Sequence, residues 1–266
     1  MIHALMPRSL ALLLLLAFAN SATAAHDPHS YAEPDRFLVR HVALDLRADF
    51  TAHRLEGNVE LMVERIDPAA RKLSLDTRDL EIHSVQLIDE TGQGQNLPFH
   101  LDARDPILGS RLTIDLAGED GGSALQRLRI EYRTSSEANA LQWLEPAQTS
   151  GPHPYMYSQG QAINARSWIP IQDSPAVRMR YTARIRTPPE LVAVMSAARV
   201  AGADAAPGEY RFEMQQPIPA YLIALAIGDL KFQSLGDRVG VWTEPSRLAA
   251  AANEFADLPR MLEAGE

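Results

Sequence analysis

Apolar and polar residues alternate along most of the chain up to about residue 232. Between 42 and 46, Val and Leu side chains alternate with Ala43 and Asp45, and residues 59–64 repeat the pattern. A period of two places successive side chains on opposite faces of a strand, so both stretches predict β-strands with one face in water. The same alternation recurs at 73–75, 82–87, 112–116 and 128–132.

Turn residues separate these predicted strands. Gly, Pro, Asn and Asp concentrate between them, at 56–58, 67–68, 92–94 and 118–122. Because Gly and Asn suit the tight turns that join neighbouring strands, short strands with frequent turns indicate a mainly β fold. We expect an antiparallel, curved multi-stranded sheet or a sandwich.

Two stretches near the end depart from simple alternation. Residues 221–228 are apolar on both faces, which predicts a central strand covered on both sides; a buried helix is the alternative, although eight residues are few for one. After Trp242, Glu244-Pro245 is typical of a helix start. Apolar side chains then follow at helical spacing, and Pro259 would bend or end that helix. These apolar positions are Leu248, Ala251, Ala252, Phe255 and Leu258.

Residues 1–25 have the pattern of a secretory signal peptide. Arg8 supplies the positive charge, 10–19 form an apolar run, and Ala22-Thr23-Ala24 is a small-residue cleavage site. An N-terminal membrane anchor is the alternative, but a span needs about 20 apolar residues. We therefore expect export to the periplasm or outside the cell, with no membrane association after cleavage. We expect 26–35 to be a flexible tail, 36–240 a β domain, and 241–266 the start of a further, truncated domain.

Composition excludes several kinds of chemistry. The chain has no Cys, so it has no disulfide, thiolate metal site or Cys nucleophile, and its formal net charge of -9 argues against nucleic acid as a partner. No two of its eight histidines have the i, i+4 spacing of two ligands on one helix face. The serines lack a G-x-S-x-G turn. We therefore predict no metal site and no catalytic residue in this chain.

Residues 141–175, LQWLEPAQTSGPHPYMYSQGQAINARSWIPIQDSP, are dense in Gln, Tyr, Trp, Pro and Ser. In order and spacing this run resembles the substrate-facing strand and turn of the zinc aminopeptidases, of the leukotriene A4 hydrolase and aminopeptidase N type. The resemblance extends to shorter pieces at 41–46, 55–57, 73–80, 191–197 and 217–228. The family's H-E-x-x-H zinc motif and G-x-M-E-N exopeptidase motif are both absent from this sequence.

The resemblance implies the N-terminal β domain of an exported zinc aminopeptidase, followed by the first helix of its catalytic domain. Zinc is expected in the missing region, so this chain should bind none and be inactive alone. Its partners would be the amino end of a peptide substrate and its own catalytic domain. The alternative is a stand-alone, non-catalytic β module that binds peptides or a protein partner.

Gln159 and Gln161 are the candidate substrate-binding residues. Two residues apart on an extended segment, they would point to one face, and a primary amide both donates and accepts hydrogen bonds. By resemblance, Gln161 and the backbone at Ala162 hold the substrate's amino end, while Gln159 lines the pocket for the first side chain. Two surface glutamines on an edge strand are the alternative.

Other residues of the run carry weaker expectations. Tyr155, Tyr157 and Trp168 could line that pocket, although aromatic residues in strands more often pack in the core. Arg166 and Asp173 are expected to form a salt bridge or a backbone anchor for the turn.

Overall fold

The computed structural model describes residues 27–116, 125–200, 202 and 206–266. The predicted signal peptide lies outside these residues. Among the described helices, none has the length and apolar character that crossing a membrane requires.

Strands dominate the described part of the chain, which confirms the predicted mainly β fold. Strands β1 to β9 are Phe37–Asp49, Arg54–Arg65, Lys72–Thr77, Glu81–Ile88, Gly94–Asn96, Phe99–Leu101, Ser110–Asp115, Leu125–Arg133 and Leu141–Leu144. Strands β10 to β17 are Tyr155–Ser158, Arg178–Arg186, Val192–Met195, Ala198–Arg199, Glu209–Pro219, Leu225–Gly228, Lys231–Ser234 and Gly240–Thr243. Two α-helices follow, α1 (Leu248–Glu254) and α2 (Leu258–Gly265).

The largest sheet has eight strands in the order β13-β14-β11-β1-β2-β8-β4-β5. Its pairs are antiparallel with one exception, since β1 pairs with β11 in parallel, His41 opposite Arg180. A parallel pair needs a long connection, and everything from β2 to β10 lies between these two strands. The expectation of a wholly antiparallel sheet is therefore wrong at this pair.

Two smaller sheets pack with the large one around a single core. The three-stranded sheet has the order β3-β7-β6, and the four-stranded sheet the order β12-β15-β10-β9. Leu61 of the large sheet, Leu73 of the three-stranded sheet and Met156 of the four-stranded sheet belong to the same buried cluster. The alternation that the sequence shows thus directs one face of each sheet into this core.

The apolar stretch 221–228 is only partly the strand that the sequence predicts. Ala220–Leu222 form a 3-10 turn, and only Leu225–Gly228 form β15, which does lie centrally, between β12 and β10. Leu222 is 46% exposed and Ala226 is half-buried. The expected cover on both faces is therefore wrong: one face of β15 is packed and the other is open.

Helical structure after Trp242 begins where the spacing predicts it, but the first helix ends at Glu254, so the prediction of one helix through Phe255 and Leu258 is wrong. A 3-10 turn begins at Pro245, α1 follows directly, and Pro259 stands in the first turn of α2 rather than inside a helix. Before them, β16 and β17 form a hairpin that α1 contacts. This hairpin crosses residue 240, where the sequence suggests a domain boundary.

Residues 27–35 do not extend freely from the domain, in contrast to the expected flexible tail. Ser30 is buried and its hydroxyl donates to Oδ2 of Asp76 at 2.6 Å. The backbone N–H of Tyr31 donates to Oδ1 of the same carboxylate at 2.7 Å. The local sequence does not predict this anchor, because Asp76 lies 45 or more residues further along the chain.

Candidate substrate-binding loop

Gln159, Gln161 and Ala162 lie in an exposed loop, which we define as residues 159–164. Strand β10 ends at Ser158, and a turn over 161–164 follows. The predicted extended segment is therefore wrong beyond Ser158. The loop starts in register, because the N–H of Gln159 donates to the carbonyl of Ala140 at 2.8 Å.

The two glutamines have different surroundings. The side-chain oxygen of Gln159 accepts a hydrogen bond from the backbone N–H of Gln161 at 2.5 Å. The side-chain amide of Gln161 makes no hydrogen bond to any described residue and is exposed. Gln159 thus supports the loop, whereas Gln161 keeps both its donor and its acceptor available.

Gly160 fixes the loop against the neighbouring chain. It is buried, and a Cβ built on it would lie 2.8 Å from the carbonyl oxygen of Tyr221 and 3.0 Å from its Cα. Since no side chain fits there, the glycine lets the loop lie directly on the 3-10 turn 220–222. The sequence signal, a Gly between two Gln, could have identified this close approach.

The aromatic candidates separate into two groups. Trp168 is fully buried in the core, the more common place for an aromatic residue, and does not line a pocket. Tyr155 and Tyr157 lie together on the open face of the four-stranded sheet, with ring centroids 6.2 Å apart. Burial raises the pKa of Tyr155, whose ring covers Gly228, while Tyr157 is 39% exposed.

The open face continues away from these tyrosines. Ala226 pairs with Tyr157 on one side and with Val194 on the other, and Gln142 is opposite Tyr157 on β9. Side chains two residues apart share a face, so this row of mainly apolar positions leads from the loop across the sheet. The arrangement offers a free amide beside an apolar surface.

Arg166 and Asp173 form the salt bridge that the sequence predicts, and Asp76 completes it. Nε of Arg166 lies 3.0 Å from Oδ2 of Asp173, and Nη1 lies 3.5 Å from Oδ1 of Asp76, with all three side chains buried. Burial raises the pKa of Asp173 to about 6, because loss of water outweighs the favourable charge of Arg166. Nothing in the local sequence links Asp76, which lies on β3, to this pair.

Comparisons with known proteins identify the family of this chain. Residues 28–222 match the family model described as the Peptidase M1 N-terminal domain. The chain belongs to the peptidase M1 family. The predicted resemblance to zinc aminopeptidases is thereby confirmed.

Relatives of this M1 chain are longer than it is. Leukotriene A-4 hydrolase of Xenopus laevis is 37% identical over 90% of the chain, and leucine aminopeptidase 2 of Saccharomyces cerevisiae is 34% identical over all of it. In both cases the chain spans 39% of the relative's length.

Solved structures show the same correspondence. The native yeast LTA4 hydrolase superposes with a TM-score of 0.83 at 34% identity, over 97% of this chain and 39% of that one. An M1 zinc metallopeptidase of Deinococcus radiodurans, at 20% identity and a TM-score of 0.56 over 79% of this chain and 47% of that one, shares the fold.

No zinc site can be assembled from the part of this M1 chain that the structure describes. Those residues contain no group of three or more His, Cys, Asp or Glu side chains that could hold a metal ion. The described histidines do not converge on one point with other metal-binding side chains. The ring of His53, for example, bonds Glu145 at 3.0 Å. The residues present therefore do not fit the metal that the family name implies.

Proposed function

We propose that this chain is the substrate-side domain of an exported zinc aminopeptidase, and that it binds the free amino end of a peptide through Gln161 and the backbone at Ala162. Membership of the M1 family and similarity to leukotriene A4 hydrolase and leucine aminopeptidase support the reaction class. The remainder of the protein would supply zinc and all catalytic groups. Alone, the chain should neither bind zinc nor hydrolyse peptides.

One observation carries the proposed role: the exposed side-chain amide of Gln161 makes no hydrogen bond to the described residues, while both backbone polar groups of the same residue are held by side chains. Its oxygen can accept from a substrate ammonium group, and its N–H₂ can donate to the first peptide carbonyl. Because an amide does not titrate, it can orient a substrate but cannot act as a general acid or base. The chain's contribution is therefore binding and orientation.

Tyr155 and Tyr157 would lie beside the first substrate side chain. They border the loop on the open sheet face, where one ring is partly exposed. Gln159 would line the same pocket, and its bond to the N–H of Gln161 supports the loop beside it.

The test is to replace Gln161 with Leu in the intact protein. Loss of a hydrogen bond to a charged partner costs about 1.5–3 kcal/mol, so kcat/KM should fall roughly ten- to hundredfold. Gln161→Glu should retain more activity than Gln161→Leu, because its carboxylate still accepts from an ammonium group. Unchanged kcat/KM in Gln161→Leu would exclude the contact.

Gln95→Leu is the matched control for this experiment. Gln95 is also exposed, on the edge strand β5. It should leave both kcat/KM and the melting temperature unchanged. If Gln161→Leu lowers the melting temperature along with activity, while Gln95→Leu does not, Gln161 is structural and the proposed contact is wrong.

The stand-alone peptide-binding module remains the second candidate, and hydrogen exchange separates the two. Helix α2 has no buried residue and α1 has only Ala252, while Phe255 and Met261 are exposed. Short helices without packing are marginal in water. The aminopeptidase proposal predicts fast exchange in α1 and α2 and slow exchange in β15 when this chain is isolated; equal protection favours the module.

A further inference from the structure

We propose that Asn164 is a positioning residue, which sets the orientation of the Gln161–Ala162 backbone and hence of the Gln161 amide. The inference rests on the proposed function of Gln161. Neither composition nor the resemblance singled out Asn164, which is half-buried at the end of the loop.

Asn164 holds the loop from two directions. Its side-chain Nδ2 donates to the carbonyl oxygen of Gln161 at 3.2 Å, and its backbone N–H donates to the carbonyl of Gly160 at 2.8 Å. The first bond fixes the plane of the peptide between Gln161 and Ala162. That peptide plane is the part of the loop proposed to face the substrate.

The other side of Asn164 is anchored to the domain. Its carbonyl accepts the hydroxyl of Ser167 at 2.8 Å, and the Ser167 oxygen in turn accepts the backbone N–H of Ala140 at 2.9 Å. Ser167 and Ala140 are both buried. Asn164 thus connects an exposed loop to a rigid part of the core through an unbroken set of hydrogen bonds.

The side chains of Gln159 and Asn164 together hold the backbone of Gln161. Gln159 binds the N–H of Gln161 and Asn164 binds its carbonyl, so both backbone polar groups of Gln161 are held by side chains. Substrate binding then need not order this residue, which lowers the entropy lost on association. The side-chain amide of Gln161 stays free to adapt to the substrate.

A double-mutant cycle in the intact protein tests the assignment. Asn164→Asp keeps the shape but removes the donor and sets a carboxylate against the Gln161 carbonyl, so kcat/KM should fall about three- to tenfold. In a Gln161→Leu background the same change should cost clearly less than in the native background, because residues that act through one another are not additive; the loss that remains comes from the backbone at Ala162. Asn96→Asp, at an exposed asparagine on β5, is the control and should cost nothing in either background.

The outcomes separate the positioning role of Asn164 from the substrate contact of Gln161. Equal losses from Asn164→Asp in both backgrounds, or no loss in the native background, would overturn the positioning role while leaving Gln161 as a substrate contact. No loss from Gln161→Leu itself would overturn the proposed function, and the positioning role with it. If Asn164→Asp does not fold, Asn164→Ala removes the donor without adding charge and takes its place in the cycle.

Discussion

Two polar regions lie a few residues apart in this chain and behave in opposite ways. The loop 159–164 is mostly exposed, and its Gln161 amide has no partner among the described residues. The buried network of Arg166, Asp173 and Asp76 is closed to water, and Arg166 alone donates to backbone carbonyls of Leu108, His29 and Asp173. The loop and two members of the network, Arg166 and Asp173, come from the same polar run of sequence, whereas Asp76 lies on β3.

The difference shows that polarity alone does not identify a binding residue. A buried charge is tolerated only when its hydrogen bonds are satisfied, so the groups of the network are paired inside the domain and have nothing left to offer a ligand. An exposed amide contributes little to stability and keeps its bonds for a ligand. What separates the two roles is whether each hydrogen-bond donor and acceptor already has a partner within the domain.

The largest expected effect comes from breaking the buried network. Arg166→Ala leaves the carboxylates of Asp76 and Asp173 buried without their cation, which should lower the free energy of unfolding by about 3–5 kcal/mol. Urea unfolding of the isolated chain measures this. Arg40→Ala, which breaks an exposed pair with Glu64, is the control and should cost less than about 1 kcal/mol. Similar losses of unfolding free energy in both variants would show that the buried network matters no more to stability than an exposed ion pair.

An intermediate effect should appear on changing pH. The folded-state pKa of Asp173 is raised from 3.8 to about 6, so its protonated form stabilises the fold below about pH 4 and that contribution is lost as the pH rises to about 6. The loss amounts to at most about 3 kcal/mol. Unfolding of the native chain, measured relative to Asp173→Asn from pH 4 to 7, should show it. If the native chain instead becomes more stable relative to Asp173→Asn as the pH rises, Arg166 lowers the pKa of Asp173.

The smallest effect is expected in the exposed loop. Gln159→Ala removes one hydrogen bond at the surface and should change the free energy of unfolding by less than about 1 kcal/mol. Because that bond holds the N–H of Gln161, exchange of this amide should nevertheless accelerate. A loss as large as that of Arg166→Ala would show that the loop, like the network, is structural.

The sequence predicts those features that depend on local spacing. Alternation located the strands, and Pro245 with the apolar spacing located the helices. The sequence does not predict features that depend on contacts between distant segments. Two examples are the parallel pairing of β1 with β11 and the hydrogen bond between Ser30 and Asp76. A period of two also cannot show where a strand ends, so the sequence predicts an extended segment where the loop after Ser158 lies.

At the candidate site the sequence identified Gln161 only through family resemblance. Nothing local separates it from Gln159, because both are glutamines flanking Gly160; the hydrogen bond between them distinguishes their roles. The burial of Trp168 was equally out of reach, since an aromatic residue suits a core and a pocket alike.

The capture of residues 27–31 has a consequence for the order in which the chain folds. His29 and Arg166 are 137 residues apart in sequence, and Asp27 bonds Ser174 across 147. Contacts of such long range form late, and synthesis delivers the early residues first. The first described residues therefore cannot make these contacts until the ribosome has synthesised residue 174.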